Sequence, residues 1–269
     1  MVSLVLPRLV SFEGAPRRSA SVAERNFTSL RSAYWLVLIS GFLEPVLYLF
    51  SIGIGVGALV GDLTLPGGRV VSYAAFVAPA MLASSAMTGA LAETTFNFFG
   101  KMKYMKLYDG VIATPVQPFE IALGELGWAM IRGTLYSAAF LVVMVSMDLT
   151  SAGRAVTAFP AAVLVGFAFG ALGMAFSTFM RSWQDFDLMG SAQFTLFLFS
   201  GTFVPAEAYP AVLRWVVEVT PLYRSVHLIR GICVGSSGWS WLLDVGYLLA
   251  LTGVGLFVAS RRMAGLLYK

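Results

Sequence analysis

The sequence 155-AVTAFPAAVLVGFAFGALGMAFSTFM-180 contains 26 residues without a single Asp, Glu, Lys or Arg. A second uncharged stretch, Val70–Ala92, has 23 residues. A soluble helix of this length would carry a polar face, because only one stripe of it can be buried. About 20 apolar residues, each rising about 1.5 Å, cross the hydrocarbon core of a bilayer. The chain is therefore predicted to be an integral membrane protein.

The composition supports the same class. Of the 269 residues, 58% are hydrophobic and 12% are charged, and the mean hydropathy is +0.80. Soluble domains average about 25% charged residues. The single Cys233 excludes a disulfide within the chain and any cysteine metal cluster. We attribute the net charge of +4 to basic cytoplasmic loops and not to nucleic-acid binding.

We predict an all-α fold with one transmembrane domain over residues 1–269, divided into a cytoplasmic or interfacial segment 1–32, a bundle 33–260 and a cytoplasmic tail 261–269. The six predicted transmembrane helices are Ala33–Leu59, Val71–Phe98, Ala122–Met147, Phe159–Met180, Leu188–Val204 and Trp241–Ser260. No cleavable signal peptide is expected, because the first apolar span begins after 32 residues and is too long for a signal sequence.

Lysine and arginine are distributed unevenly between the segments that join these spans. Cytoplasmic loops of membrane proteins carry an excess of both residues. One set of segments, which includes both termini, carries 12 of them: Arg8, Arg17, Arg18, Arg25, Arg31, Lys101, Lys103, Lys106, Arg181, Arg261, Arg262 and Lys269. The opposite set carries five: Arg69, Arg154, Arg214, Arg224 and Arg230. We therefore expect both termini to be cytoplasmic, as an even number of spans requires.

The residues before the first span are predicted to form an N-terminal amphipathic interfacial helix, Ser21–Ser32. Ser21 and Glu24 form an S-x-x-E capping box, in which each side chain binds a backbone N–H at the helix start. Apolar residues then recur at helical spacing: Ala23, Phe27, Leu30 and Tyr34. Such a helix can lie in the headgroup layer with its apolar stripe towards the lipid. An ordinary cytoplasmic extension of the first span is the alternative.

The connection Phe99–Glu120 is more apolar than a plain loop. Lysines alternate there with apolar residues in the order Lys101, Met102, Lys103, Tyr104, Met105, Lys106, Leu107 and Tyr108. Gly110, Pro115 and Pro118 follow, which favours a short amphipathic helix and then a proline-restrained turn. Aromatic and methionine side chains on a polar loop are typical of a docking surface. Contact with lipid headgroups is the alternative explanation.

The segment Ser200–Gly235, on the predicted outer side, is too apolar for a solvated loop, yet three prolines interrupt any full crossing: Pro205, Pro210 and Pro221. Arg214 and Glu218 lie four residues apart and therefore point the same way from an apolar helix. Three basic residues follow at three-residue intervals: Arg224, His227 and Arg230. We predict a re-entrant helical hairpin between spans 5 and 6, packed on the bundle, because non-helical backbone at membrane depth must be buried in protein. His227 is expected to form interfacial hydrogen bonds, with a functional role as the alternative.

Charged residues within the predicted spans are informative, because charges at that depth are costly and usually have a partner or a function. Glu44 and Arg132 lie about 16 Å and about 15 Å from the cytoplasmic side. We predict that these two pair, either as a clamp between helices or as part of a substrate path. Glu125 is a competing partner for Arg132, and Glu93 is expected to be solvated.

Two glycine motifs offer flat faces for close helix contact, within the chain or between chains: Gly53-x-x-x-Gly57-x-x-x-Gly61 and Gly166-x-x-x-Gly170. The sequence contains no G-x-x-x-x-G-K-[ST] phosphate loop, no H-E-x-x-H and no C-x-x-C. We therefore expect no cofactor on this chain, no catalytic activity, and an energy source that lies elsewhere.

Several short sequences occur in a recognisable order along nearly the whole chain. They are Tyr73-Ala-Ala-Phe-Val-Ala-Pro79, Ser85-Ala-Met87 with Glu93, Thr114-Pro115, Gly124-Glu125, Ser200-Gly-Thr-Phe-Val-Pro205, Tyr209-Pro210 and Thr220-Pro-Leu-Tyr-Arg-Ser-Val-His-Leu-Ile-Arg230. In this order and spacing they resemble the membrane subunits of ABC transporters of the type-2 permease family, and within it the nodulation protein J branch.

This resemblance implies a six-span permease that works as a dimer, expected to be a homodimer, with two copies of a separate ABC-type ATPase that binds the ATP and Mg. It implies that the segment with Lys101, Lys103, Tyr104, Met105, Lys106 and Tyr108 couples to the ATPase. It also implies that Pro205–Arg230 forms outer re-entrant helices near the exit of the path. Relatives export lipid-linked saccharides, lipo-oligosaccharides or hydrophobic drugs, so the expected location is the bacterial cytoplasmic (inner) membrane.

Other classes of protein fit the sequence less well. An ion-coupled secondary transporter would show internal repeats and several mid-membrane charges; no repeat is visible, and only Glu44 and Arg132 qualify. A membrane-embedded enzyme would need a convergent catalytic set, which is not visible. A structural subunit of a larger complex stays open.

Overall fold

The structure is a computed structural model that describes residues 19–22, 24, 43, 46–65, 68–235 and 238–268. Its helices in chain order are α1 Val46–Val60, α2 Tyr73–Tyr104, α3 Leu107–Val111, α4 Pro118–Ser146, α5 Ala152–Ser177, α6 Asp185–Leu198, α7 Ala211–Val219, α8 Pro221–Val234 and α9 Ser240–Leu267. A β-hairpin precedes α2, in which β1 (Asp62–Thr64) pairs antiparallel with β2 (Val70–Ser72). Val71 and Ser72 of β2 were predicted to begin the second span, which is helical only from Tyr73.

Four helices in the described ranges are long and apolar enough to cross a membrane. They are α2 with 32 residues, α4 with 29, α5 with 26 and α9 with 28. They correspond to the second, third, fourth and sixth predicted spans. The chain is thus mostly helical and has the helices of a multi-pass membrane protein.

The fifth predicted span, Leu188–Val204, is observed as the shorter helix α6. Its 14 residues extend about 21 Å, which is less than the hydrocarbon thickness of about 30 Å. The helix ends at Leu198. In the turn that follows, the Ser200 hydroxyl contacts the Thr202 hydroxyl at 2.6 Å, and Gly201 adopts a positive φ of 70°. Of the first predicted span, only Leu43 and residues 46–59 lie within the described ranges. The count of six spans is therefore not confirmed.

Helix α5 lies at the centre of the bundle and packs against α2, α4, α8 and α9. Its glycines permit this approach. A Cβ on Gly166 would lie 3.1 Å from the Met130 sulfur, and one on Gly170 would lie 2.6 Å from the Leu126 Cδ1. A Cβ on Gly173 would collide with α2 in the same way. The Gly166-x-x-x-Gly170 face is therefore used for contacts within the chain.

The N-terminal residues contact the beginning of α4. Residues 19–22 and 24 are helical, and they are the part of the region around the predicted Ser21–Ser32 helix that lies within the described ranges. A Cβ on Gly124 would lie 2.6 Å from the carbonyl oxygen of Ser19 and 2.7 Å from the Cβ of Val22. Gly124 thus allows the N-terminal helix to lie directly on α4.

Candidate functional site

A cavity of about 560 Å³ is formed by α2, α4 and α6, with Tyr48 of α1 at its margin. Sites for small organic molecules have volumes of about 300–1,000 Å³. One part of the wall is apolar and includes Met81, Met87, Phe194 and Phe197. The cavity therefore has the size and the apolar surface needed to hold an organic molecule.

The other part of the wall carries polar groups. Gln193 of α6 donates through Nε2 to the Thr88 hydroxyl of α2 at 2.9 Å. Ser84 lies one helical turn before Thr88 in α2 and is only 6% exposed. Its hydroxyl has no hydrogen-bond partner among the residues that the structure describes. An unpaired buried hydroxyl costs free energy unless a ligand or water satisfies it, so this position is a candidate contact for a bound molecule.

An ion pair lies in the same wall, formed by Glu93 of α2 and Arg132 of α4. The side chains are 9% and 15% exposed, respectively. Arg132 also donates to the hydroxyl of Tyr136 at 3.3 Å. The prediction that Glu93 is solvated is therefore wrong, because the carboxylate is partly buried against a cation. The predicted partner Glu44 lies outside the described residues.

Helix α2 changes its geometry where Glu93 occurs. Residues Ala92–Asn97 are π-helical, and π-bulges, which add a residue to a helical turn, are frequent at functional sites. Thr94 and Thr95, next to Glu93, are buried against α5. The widened turn thus directs two threonines to the centre of the bundle and Glu93 to the cavity.

Glu125, the other predicted partner of Arg132, has a different counter-ion. Its carboxylate accepts from the Lys101 Nζ at 2.7 Å, and its side chain is 5% exposed. This pair joins the end of α2 to the first turns of α4. Lys101 therefore forms an ion pair within the chain. The alternation of lysines in the sequence did not predict this.

The predicted coupling segment presents some of its residues and buries others. Tyr104 and Met105 are 57% and 74% exposed, and Lys103 and Lys106 are exposed as well. Tyr108 is fully buried on α3. The docking role suggested for Tyr108 is therefore corrected: its ring packs on Phe98 inside the bundle, with the ring centroids 5.4 Å apart.

Aromatic side chains from two connections meet beside this segment. The indole of Trp183 stacks on Tyr104 with centroids 5.2 Å apart, and it also contacts Phe99 and Phe186. Asp185 accepts backbone N–H bonds from Arg181 and Ser182, which lower the pKa of its carboxyl group. The sequence reading missed this cluster, although Trp183 and Phe186 in a short charged connection are a signal that could have revealed it.

The segment after α6 contains two short helices, α7 and α8, as the three prolines predicted. Pro210 immediately precedes α7, and Pro221 is the first residue of α8. Pro205 precedes a single 3-10 turn, Ala206–Ala208. Arg214 and Glu218 form the expected i,i+4 pair at 2.7 Å.

The three basic residues of α8 have different binding partners. Arg224 and His227 both bind the carboxylate of Asp244 at the start of α9, at 3.3 Å and 2.6 Å. The Asp244 side chain is completely buried. Sequence reasoning overlooked Asp244, although an acidic residue near the beginning of an apolar span is a signal for a buried partner.

Arg230 joins α8 to α2 without a carboxylate. It donates to the carbonyl oxygens of Phe76 at 3.0 Å and of Gly201 at 2.8 Å. Its guanidinium also lies 3.8 Å from the centroid of the Phe76 ring. Arg230 and Asp244 thus both fix the helix pair α7–α8 to the bundle.

Comparisons with known proteins agree with this architecture. Residues 20–234 match the family described as "ABC-2 type transporter". "Nodulation protein J" of Rhizobium leguminosarum bv. trifolii is 34% identical over 80% of this chain and 80% of its own length, and that of Rhizobium meliloti is 30% identical over 89% and 90%. "Inner membrane transport permease YadH" of Escherichia coli is 24% identical over 75% of each chain. The match covers most of the chain, and four of the chain's helices are apolar and long enough to span a membrane. The chain therefore belongs to the ABC-2 type transporter family, whose members are transport components and not catalytic proteins.

Proposed function

We propose that this chain is the membrane-spanning subunit of an ATP-driven exporter in the bacterial cytoplasmic membrane. Its cargo is a lipid-linked saccharide, a lipo-oligosaccharide or another amphipathic molecule. It crosses the membrane six times with both termini in the cytoplasm, and it works as a homodimer. ATP and Mg bind to a separate ABC-type ATPase, of which two copies attach to the permease pair.

The observation that carries this proposal is the continuity of α2. The helix runs from Tyr73 to Tyr104 without a break in helical structure. Its middle part supplies Ser84, Thr88 and Glu93 to the cavity, and its end presents Tyr104 next to the exposed Met105. Movement imposed at the exposed end can therefore reach the cavity along one continuous helix.

The proposed cycle uses this connection. ATP binding draws the two ATPase subunits together and displaces the segment Lys101–Tyr108. The Lys101–Glu125 ion pair ties the segment to α4, so α2 and α4 move as a unit. The interface between the two permease copies then opens towards the outer leaflet, close to the re-entrant hairpin Pro205–Arg230.

Co-purification tests the partnership. The tagged permease, expressed with its neighbouring genes, is expected to retain a chain that contains a phosphate loop and hydrolyses ATP. Failure to retain such a chain in a mild detergent, with the permease itself intact, would contradict the proposal. It would then favour an ion-coupled secondary transporter or a structural subunit. A drug-efflux permease of the same family is distinguished by its cargo and not by this test.

Uncoupling tests the role of the exposed loop. Replacing Tyr104 and Lys106 by Ala is expected to abolish transport while ATP hydrolysis and membrane insertion persist, because both side chains are exposed. Tyr104 also loses its ring contacts with Trp183 and Phe99. Arg261→Ala is the control for loss of an exposed cation, because Arg261 is exposed on α9 and lies outside both the coupling segment and the hairpin Pro205–Arg230. Unchanged transport in the double variant would remove the assignment of this loop.

A further inference from the structure

Two arginines from different elements meet at the C-terminal end of α8. Arg154, in the first turn of α5, donates through Nη1 to the carbonyl oxygen of Cys233 at 3.5 Å. Arg69, which directly precedes β2, donates to the carbonyl oxygen of Val234. Both arginines are exposed. Because the two carbonyl groups belong to consecutive residues, the two guanidinium groups are neighbours.

Gly235 makes room for this arrangement. It follows the last residue of α8 with a positive φ of 80°, and a Cβ at its position would lie 2.7 Å from Nη2 of Arg154. Any other residue would be strained by this backbone conformation and would displace the guanidinium group. The chain therefore holds a cation directly against the end of the helix.

The positive charge of the pair is only partly balanced by the protein. The C-terminal end of a helix carries about −0.5 elementary charge, which is less than the charge of two guanidinium groups. Arg154 also lies at the positive end of the α5 dipole, and the first turn of α5 has no acidic residue. Neither arginine forms an ion pair within the ranges that the structure describes. The adjoining segments 66–68 and 236–238 contain no charged residue, so the site attracts an anion from outside the chain.

Exposed apolar side chains place this pair at the membrane interface. Val70 directly follows Arg69 and is 60% exposed, and Val156 lies two residues after Arg154 and is 73% exposed. Trp239, immediately before the membrane-length helix α9, is 86% exposed. Tryptophan is enriched where the hydrocarbon meets the lipid head groups. The abundant anion at that level is the lipid phosphate, which arginine binds through parallel N–H···O bonds.

We propose that Arg69 and Arg154 form a binding site for an anionic phospholipid at the predicted outer side of the membrane. The two guanidinium groups bind the head-group phosphate, while their contacts with the carbonyl oxygens of Cys233 and Val234 hold them in position. The acyl chains lie along the two exposed valines and Trp239. A zwitterionic lipid binds less well, because it brings a cation of its own towards the two arginines. The site goes beyond the proposed export function and requires no ATPase.

Native mass spectrometry of the full-length chain in detergent tests the proposal. Phosphatidylglycerol and phosphatidylcholine with identical acyl chains are titrated in, and the dissociation constant of the first bound lipid is measured for each. Phosphatidylglycerol is expected to bind about tenfold more tightly. Arg69→Gln and Arg154→Gln should each weaken its binding about fivefold, the contribution of one cation near a lipid surface, and bring the two lipids closer in affinity.

Two further variants separate charge from helix capping. Glutamine retains an N–H donor for the carbonyl oxygen but not the charge, whereas Arg69→Lys retains the charge and should retain most of the binding. Arg214→Gln is the matched control, since this exposed arginine already pairs with Glu218 at 2.7 Å. It should leave the preference for phosphatidylglycerol unchanged.

Four outcomes would overturn the proposal. Equal affinity for the two lipids, or equal weakening by Arg69→Gln and Arg214→Gln, would show that the pair does not select an anionic lipid. Displacement of the lipid by excess glycerol 1-phosphate would show that a soluble anion is sufficient. Loss of a second copy of the chain in Arg69→Gln, with lipid binding unchanged, would assign this surface to a subunit contact. If Arg154→Gln does not fold, the comparison of Arg69→Gln with Arg69→Lys still decides.

Discussion

The Glu93–Arg132 ion pair allows a quantitative test of how the bundle is held together. Both side chains are more than four-fifths buried, at 9% and 15% exposure. Removal of one partner from a buried pair leaves an uncompensated charge and costs about 3–5 kcal/mol, whereas replacement of both by apolar groups is close to neutral. We therefore expect Glu93→Gln and Arg132→Leu each to destabilise strongly, and the double variant to cost no more than either single variant.

The coupling free energy from this double-mutant cycle is then expected to be about 3 kcal/mol or more. The free energy of unfolding is measured in mixed micelles, with far-UV circular dichroism followed as the mole fraction of SDS rises. The pair Arg214–Glu218 is the control, since its side chains are 45% and 28% exposed, and its coupling should be about 0.3–0.5 kcal/mol. Equal coupling in the two cycles would refute the claim that burial makes the cavity pair important.

Three further predictions concern other parts of the chain. Gly173→Val is expected to destabilise the fold by about 1–3 kcal/mol through overpacking of α5 against α2, whereas Gly246→Val, with no heavy atom near its Cβ position, should unfold at the wild-type SDS mole fraction. Arg230→Lys loses the bidentate contact with two carbonyl oxygens and should make the 235–240 connection more sensitive to protease; unchanged cleavage would contradict this role. The pKa of Asp185 is lower in the folded chain than in the unfolded chain, where it is about 3.9. The hydrogen bonds of its carboxylate therefore stabilise the connection before α6 above that pH, and this stabilisation is lost as the pH falls through the folded-state pKa. Trp183 fluorescence should therefore change in that acidic range, and the change should be absent in Asp185→Asn.

Hydropathy alone predicted much of the helical framework, because a bilayer imposes a minimum length on any apolar helix. The uncharged stretch Ala155–Met180 became α5, and the prolines at 210 and 221 marked the starts of α7 and α8. The same reasoning overextended the fifth span. Apolar residues continue to Val204, but Gly201 and the Ser200–Thr202 contact end the helix earlier.

The pairing of charges could not be predicted, because depth along a helix does not specify which face a side chain occupies. Glu93 pairs with Arg132 from within the π-helical segment Ala92–Asn97, where the number of residues per turn differs from that of an α-helix. Glu125 was considered a competing partner for the same arginine, but its carboxylate pairs with Lys101 of α2. The pairing of Asp244 could not be predicted either, because its partners lie 17 and 20 residues earlier, on a different helix, α8.

Helix α6 differs from its neighbours in that none of its 14 residues is buried within the chain. Its side chains Gln193, Phe194 and Phe197 nevertheless form part of the cavity. The bundle core is made instead by α2, α4, α5 and α9. Selection for a new cargo can therefore act on α6 with little penalty to folding, so lineages that export different molecules should diverge fastest along this helix while the glycine face of α5 stays fixed.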